Sequence, residues 1–182
     1  MPQGTCEILD PRIRRTRQLL QQALDKLLEE NSFDEISVRD ITEAATVNRA
    51  TFYDHYTDKF ALLECLVASR FHELLVERQV QFDGACASAL KAIVLAVCDY
   101  LTRIQSGPQM ESAIVAVVRR TILDGLNRHS PGSGATPPEI VAATISWAIY
   151  GAAKEWVQTP DRRPPEEIAD LVTALVAPML HA

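Results

Sequence analysis

The sequence predicts an all-α protein of about nine helices: a compact three-helix unit in a helix-turn-helix arrangement, then a larger helical body. Three observations carry this. Apolar residues recur at helical spacing along nearly the whole chain, as at Leu20, Leu24 and Leu27 and again at Leu63, Leu66, Val67 and Phe71. Asp, Ser, Asn, Gly and Pro punctuate the ends of these runs, where helices start and stop. No convincing strand, repeat or low-complexity tract interrupts them. With 182 residues, 47% of them hydrophobic, the chain can fill one large core or two small ones.

The first helix starts at Asp10-Pro11, with Asp as N-cap and Pro at the first helical position, where its missing N–H costs nothing. It runs to about Glu30 with a stripe of Ile13, Leu20, Ala23, Leu24, Leu27 and Leu28. Asn31 to Glu35 is a polar loop anchored by Phe33. Ser37 and Asp40 have the spacing of a capping box, so a short second helix covers about Val38 to Ala45. Only Thr46 and Val47 separate it from Asn48, which caps a third helix ending near Tyr56. Two short helices joined so tightly cross steeply, as in a helix-turn-helix. Phe52 and Tyr56 share one face of the third helix, and Arg49, Ala50 and Tyr53 lie on another. An exposed helix offering Arg, a small residue and Tyr suits a DNA major groove.

Thr57 is expected to cap a long fourth helix that starts at Asp58-Lys59 and keeps its period to about Gly84. Further helical patterns cover Ala85 to Gln105 and Met110 to Asn127. His129 to Pro138 is a loop by its Gly, Pro and Ser content, with Thr136 as cap of a helix that continues to about Gln158. The last helix starts near Glu166 and runs toward His181, with Pro178 bending or ending it. Both of these final helices are apolar over more of their surface than one core requires. That surplus, with the small residues Ala148, Gly151 and Ala152, suggests a helical partner surface.

Charge and composition narrow the function. The net charge is −6, and residues 1–60 hold eight Lys/Arg against eleven Asp/Glu. Position outweighs the sum, because Arg12, Arg14, Arg15 and Arg17 cluster while Glu29, Glu30, Asp34 and Glu35 gather elsewhere. Cys6, Cys65, Cys86 and Cys98 are scattered and read as reduced thiols in or near cores, without metal-site spacing. There is no apolar run long enough to span a bilayer and no secretory signal pattern, so a cytoplasmic protein without a membrane partner is expected. The four histidines are far apart, and no phosphate loop, nucleophile elbow or zinc spacing is present. An enzyme, a metal or a cofactor is therefore not expected.

Ala45 to Leu63, with Thr51, Phe52, Tyr53, His55, Tyr56, Lys59 and Leu62 in register, resembles the signature of TetR-family transcriptional regulators. The resemblance extends back through Ser37 to Ile41 and the first helix, covering roughly residues 10 to 67. Thr46 stands where the family pattern has a turn glycine, and strain is expected there if that position needs positive φ. Asn48 replaces the family's serine cap with an equally good one.

The resemblance implies a DNA-binding domain over residues 1–57 and a helical ligand-binding and dimerisation domain over 58–182. It implies a homodimer through the last two helices, a pseudo-palindromic double-stranded DNA operator, and release by a small-molecule effector, usually with repression. Arg49 is the candidate for guanine readout and Ala50 for a thymine methyl. Tyr53, His55, Thr51 and Lys59 match backbone-contacting positions, Arg39 reaches base or backbone, and Asn48 caps the recognition helix. Candidates to line an effector pocket are Cys98, Tyr100, Met110, Arg119, Asp124 and Trp147. The alternative is a TetR-like adaptor that works through protein contacts without operator binding.

Overall fold

The structure, a computed structural model, describes residues 10–78, 86–103, 108–129 and 136–181. Among the described residues there are eight α-helices, a closing 3-10 helix and no strand. The helices are α1 (Pro11–Glu30), α2 (Val38–Ala45), α3 (Arg49–His55), α4 (Lys59–Glu77), α5 (Ala87–Arg103), α6 (Pro108–His129), α7 (Pro138–Gln158) and α8 (Pro165–Val176). The 3-10 helix is Ala177–His181. No described helix is long and apolar enough to cross a membrane. The chain divides into two compact units, Met1–Leu66 and Val67–Ala182, so the division falls inside α4.

Local chemistry sets the helix ends of the first unit. The Arg12 N–H donates to Asp10 Oδ1 at 2.9 Å, capping α1 with Pro11 in its first turn. Ser37 and Asp40 form a complete capping box. The Asp40 N–H donates to Ser37 Oγ at 3.2 Å, and the Ser37 N–H donates to Asp40 Oδ2 at 2.8 Å. That pairing holds the Asp40 carboxyl below the usual carboxylate range, the Ser37 hydroxyl being the larger cause. α1 packs on α2 and α3, and α2 packs on α3. Leu20, Leu24, Ile41 and Phe52 on these helices, and Leu62 on α4, are fully buried.

In the second unit α6 packs on α7, and α5 packs on both α7 and α8. α5 is the most enclosed of these helices, with ten of its seventeen residues buried, so its apolar circumference is matched by neighbours on several sides. Lys91 pairs with Asp170 across α5 and α8, and Arg78 pairs with Asp99. Glu111 on α6 accepts from Lys154 Nζ at 2.7 Å and from Tyr150 Oη at 3.1 Å, joining α6 to α7.

Several expected boundaries change. Thr57 does not cap α4; the Ala61 N–H donates to Asp58 Oδ1 at 2.8 Å, and a carboxylate also suits the positive end of the helix dipole. Thr136 does not cap α7 either, since Pro137 holds the N-cap position and Pro138 the first turn. The end of the final helix follows expectation, α8 stopping at Val176 just before Pro178. Pro178 has no N–H to donate back to Ala174, and the chain tightens into the 3-10 turn from Ala177. The expected continuation of the fourth helix over 79–84, and most of the loop expected from His129 to Pro138, lie outside the described residues.

Candidate nucleic-acid interface

The connection from α2 to α3 is a Schellman turn. The Val47 N–H donates to Thr42 O at 3.0 Å and the Thr46 N–H to Glu43 O at 3.2 Å. Its pivot is Thr46, at φ 55° and ψ 42°, left-handed backbone that disfavours a β-branched residue. The strain anticipated from the sequence is therefore present. α3 begins immediately afterwards, capped by Asn48, whose Oδ1 accepts from the Thr51 N–H at 2.7 Å and the Thr51 hydroxyl at 3.0 Å.

α3 is two-faced. Phe52 is fully buried and the following Tyr56 nearly so, fixing the inner face. Arg49, Ala50, Tyr53 and Asp54 are exposed. Arg49 Nη2 donates to Tyr53 Oη at 3.2 Å, and its guanidinium carbon lies 5.5 Å from the Tyr53 ring centroid. The two side chains support each other one turn apart, and the Tyr53 ring edge rests against Phe52 at 5.3 Å. Arg49 is thus exposed on the outer face and held against Tyr53.

The other expected contacts differ in how available they are. Arg39 on α2 is well exposed and gives its Nε to Glu43 at 2.7 Å, an exposed pair of little energetic weight that a phosphate can displace. His55 is half-buried in the last turn of α3. The Thr51 hydroxyl proton is spent on Asn48, so it is not free to donate to a phosphate as expected from the family register. Lys59 departs furthest from expectation. Its ammonium donates to the carbonyls of Phe33 at 2.9 Å, Asp34 at 3.2 Å and Ile36 at 2.7 Å. An ammonium has three hydrogens, and this arrangement uses all three.

Arg12, Arg14 and Arg15 are exposed at the start of α1. The Arg17 guanidinium carbon lies 5.7 Å from the Tyr56 ring centroid. Burial pushes the Tyr56 phenol up to about 12. Sequence reasoning missed Asp58 as the cap of α4, although its place one residue before the helical run was a usable signal.

The six residues expected to line an effector pocket do not share one environment. Cys98, Tyr100 and Met110 are buried, with Tyr100 Oη 3.9 Å from Met110 Sδ. Burial pushes the Cys98 thiol up to about 12, so it stays protonated at neutral pH. Arg119 and Asp124 are exposed on α6, and Trp147 is more than half exposed on α7, so none of these three faces the interior that encloses the others. Long apolar helices left their facing ambiguous in the sequence. Of the cysteines, Cys98 is buried, Cys65 half-buried and Cys86 exposed, so Cys86 is not a core thiol; Cys6 lies outside the described residues. Among the described residues no cluster of His, Cys, Asp and Glu could hold a metal ion.

Three packed helices, a left-handed turn and an exposed third helix define a helix-turn-helix domain, and a separate helical unit follows it in the chain. Residues 20–66 match the family model described as "Bacterial regulatory proteins, tetR family". An uncharacterized HTH-type transcriptional regulator, YxbF of Bacillus subtilis (strain 168), is 41% identical over 68 residues, 37% of this chain and 18% of the relative. DhaS, the HTH-type dhaKLM operon transcriptional activator of Lactococcus lactis subsp. lactis (strain IL1403), is 32% identical over 60 residues, 33% of this chain and 32% of the relative. The chain thus matches less than a third of the length of either curated relative. A crystal structure of a TetR transcriptional regulator from Streptococcus agalactiae 2603V aligns with 94% of this chain and 99% of its own, at a TM-score of 0.59 and 22% identity, and shares the fold. Residues 20–66 thus resemble the N-terminal domain of TetR-family regulators, and the chain shares the fold of a TetR regulator structure.

Proposed function

We propose that the chain is a ligand-responsive repressor that binds a pseudo-palindromic DNA operator as a homodimer and is released by a small molecule. In this reading residues 1–57 contact DNA and residues 58–182 bind the effector and the second subunit. The observation that carries the reading is the outer face of α3, where Arg49 is exposed and supported by Tyr53 while Phe52 anchors the helix from behind. Arg49 presents a fork that matches guanine O6 and N7. Ala50 is positioned to meet a thymine methyl, Tyr53, His55 and Arg39 reach backbone or base, and Asn48 and Thr51 fix the helix start.

The dimer surface in this proposal is an apolar stripe on the last two helices. On α7, Ile140, Thr144, Trp147 and Gly151 are exposed at spacings of one turn. On α8 and beyond, Leu171, Leu175 and Met179 do the same. Nothing lies within 4 Å of where a Gly151 Cβ would be, so the chain's own packing does not require glycine there. A partner backbone approaching closely would. The effector would be mainly apolar, beside Cys98, Tyr100 and Met110. The regulator would act in the cytoplasm without catalysing a reaction.

The test is binding of purified protein to its own upstream DNA across a salt series. A regulator that neutralises several phosphates loses affinity steeply as salt rises and prefers one sequence. Absence of any sequence preference at low salt would refute the reading and favour an adaptor that works through protein contacts. Because DhaS is named an activator, activation is the second reading. A reporter driven from the bound site, with and without the protein, decides between them.

A further inference from the structure

Lys59 is the first residue of α4, where the helix dipole disfavours a cation. Its ammonium is turned instead into the loop between α1 and α2. The carbonyls of Phe33, Asp34 and Ile36 converge on Nζ at 2.9, 3.2 and 2.7 Å, and the Phe33 ring centroid lies 4.6 Å away. Phe33 and Ile36 are both buried, so their carbonyls need a partner within the protein. Ile36 directly precedes Ser37, the cap of α2, and Lys59 follows Tyr56, the C-cap of α3, by three residues. One side chain therefore ties the start of α2 to the end of α3.

We infer that Lys59 is a positioning residue: it braces the two connections of the helix-turn-helix and so aims α3, rather than contacting phosphate. The inference rests on the operator-binding reading for its functional consequence, while its structural half stands on this geometry alone. The brace needs three hydrogens diverging from one nitrogen toward three converging carbonyls. A guanidinium keeps the charge but spreads its donors in a plane, so it cannot reproduce that pattern. A phosphate contact, in contrast, accepts Arg in place of Lys.

The experiment compares wild-type protein with Lys59→Arg and Lys59→Met. Amide hydrogen exchange is followed without DNA, and binding to operator and unrelated duplex is followed across a salt series. Both variants are expected to exchange faster at the first turn of α2. Both are also expected to lose about tenfold in the operator-to-unrelated affinity ratio at a temperature where they remain folded, the size of one lost charge-assisted bond. The salt slope of Lys59→Arg is expected to match wild type.

If Lys59→Arg binds like wild type while Lys59→Met loses about 0.9 from the salt slope, Lys59 contacts a phosphate and the brace is overturned. A fall in melting temperature with an unchanged affinity ratio would also overturn it, as the mark of a merely structural lysine. Failure of both variants to fold would likewise mark a merely structural lysine and overturn the positioning role. Should wild type show no sequence preference, the operator reading fails, and the exchange measurement still decides whether the brace exists.

Discussion

Replacing Thr46 with Gly should stabilise the protein, and the size of the gain follows from one backbone angle. Thr46 occupies φ 55°, a conformation that costs an L-residue about 1–2 kcal/mol. Its side chain is exposed, so removing it forfeits little burial. Glycine adopts the angle without strain but loses about 0.5–1 kcal/mol more chain entropy on folding. The balance is a gain of about 1 kcal/mol, or about 2–4 °C in melting temperature for a chain of this length. Thermal unfolding followed by circular dichroism measures it, with Thr46→Ala as the control that keeps the left-handed strain. Thr46→Gly should melt above wild type, and Thr46→Ala should fall below Thr46→Gly. The strain is already absorbed in a turn closed by the bonds from Val47 and Thr46, so relieving it should leave operator preference within about twofold of wild type, well under the tenfold that corresponds to 1.4 kcal/mol. A melting point unchanged or lowered by Gly would refute the strain argument. A shifted base preference would show that the threonine itself aims α3.

Three other outcomes test different parts of the molecule. Arg49→Ala should cost about 1–3 kcal/mol of discrimination at one base position in a competition assay over operator variants; an equal loss on all sequences would remove its readout role. If the proposed dimer forms, Leu175→Asp, on the most exposed apolar position of α8, should shift it to monomer in sedimentation experiments with its helicity intact, and an unchanged association state would move the interface elsewhere. The Glu111 carboxyl is held below its ordinary value chiefly by the hydrogen bond from Lys154, so its folded pKa is depressed. Its stabilisation is present above the ordinary value of 4.5 and is lost as pH falls below that. Wild type should therefore lose more melting temperature between pH 6 and pH 3.5 than Glu111→Gln, and parallel losses would remove Glu111 from the account.

What the sequence revealed depended on how far apart the interacting groups lie along the chain. The ends of α1 and α2 were legible because Asp10-Pro11 and the pair Ser37 and Asp40 act within one helical turn. The inner and outer faces of α3 were legible because Phe52 and Tyr56 lie one turn apart in a short helix with polar neighbours. The intramolecular bonds of Lys59 were not legible because its partners lie 23 to 26 residues away, and no local pattern announces a lysine that satisfies distant carbonyls. The differing burial of the pocket candidates was not legible for another reason. α7 is apolar around most of its circumference, so periodicity alone could not assign Trp147 to the outer stripe and Ile145, Ile149 and Ala153 to the interior. That assignment needs to know what packs on the helix.

The same distance argument resolves the tension between a net charge of −6 and a DNA partner. α1 has 20 residues and is about 30 Å long, with Arg12, Arg14 and Arg15 exposed at one end and Glu29 and Glu30 exposed at the other. The two groups are about 20 Å apart, more than two screening lengths at physiological salt, where charges decay over about 8 Å. A phosphate near the arginines therefore feels them almost without the acids. Arg17, in the next turn, lies against Tyr56, the C-cap of α3, which places the basic end of α1 beside the end of the proposed recognition helix. Arg39 and Arg49 are exposed on α2 and α3 of the same unit. An acidic protein can thus offer DNA a basic surface, because what governs binding is the charge within a screening length of the phosphates and not the sum over the chain.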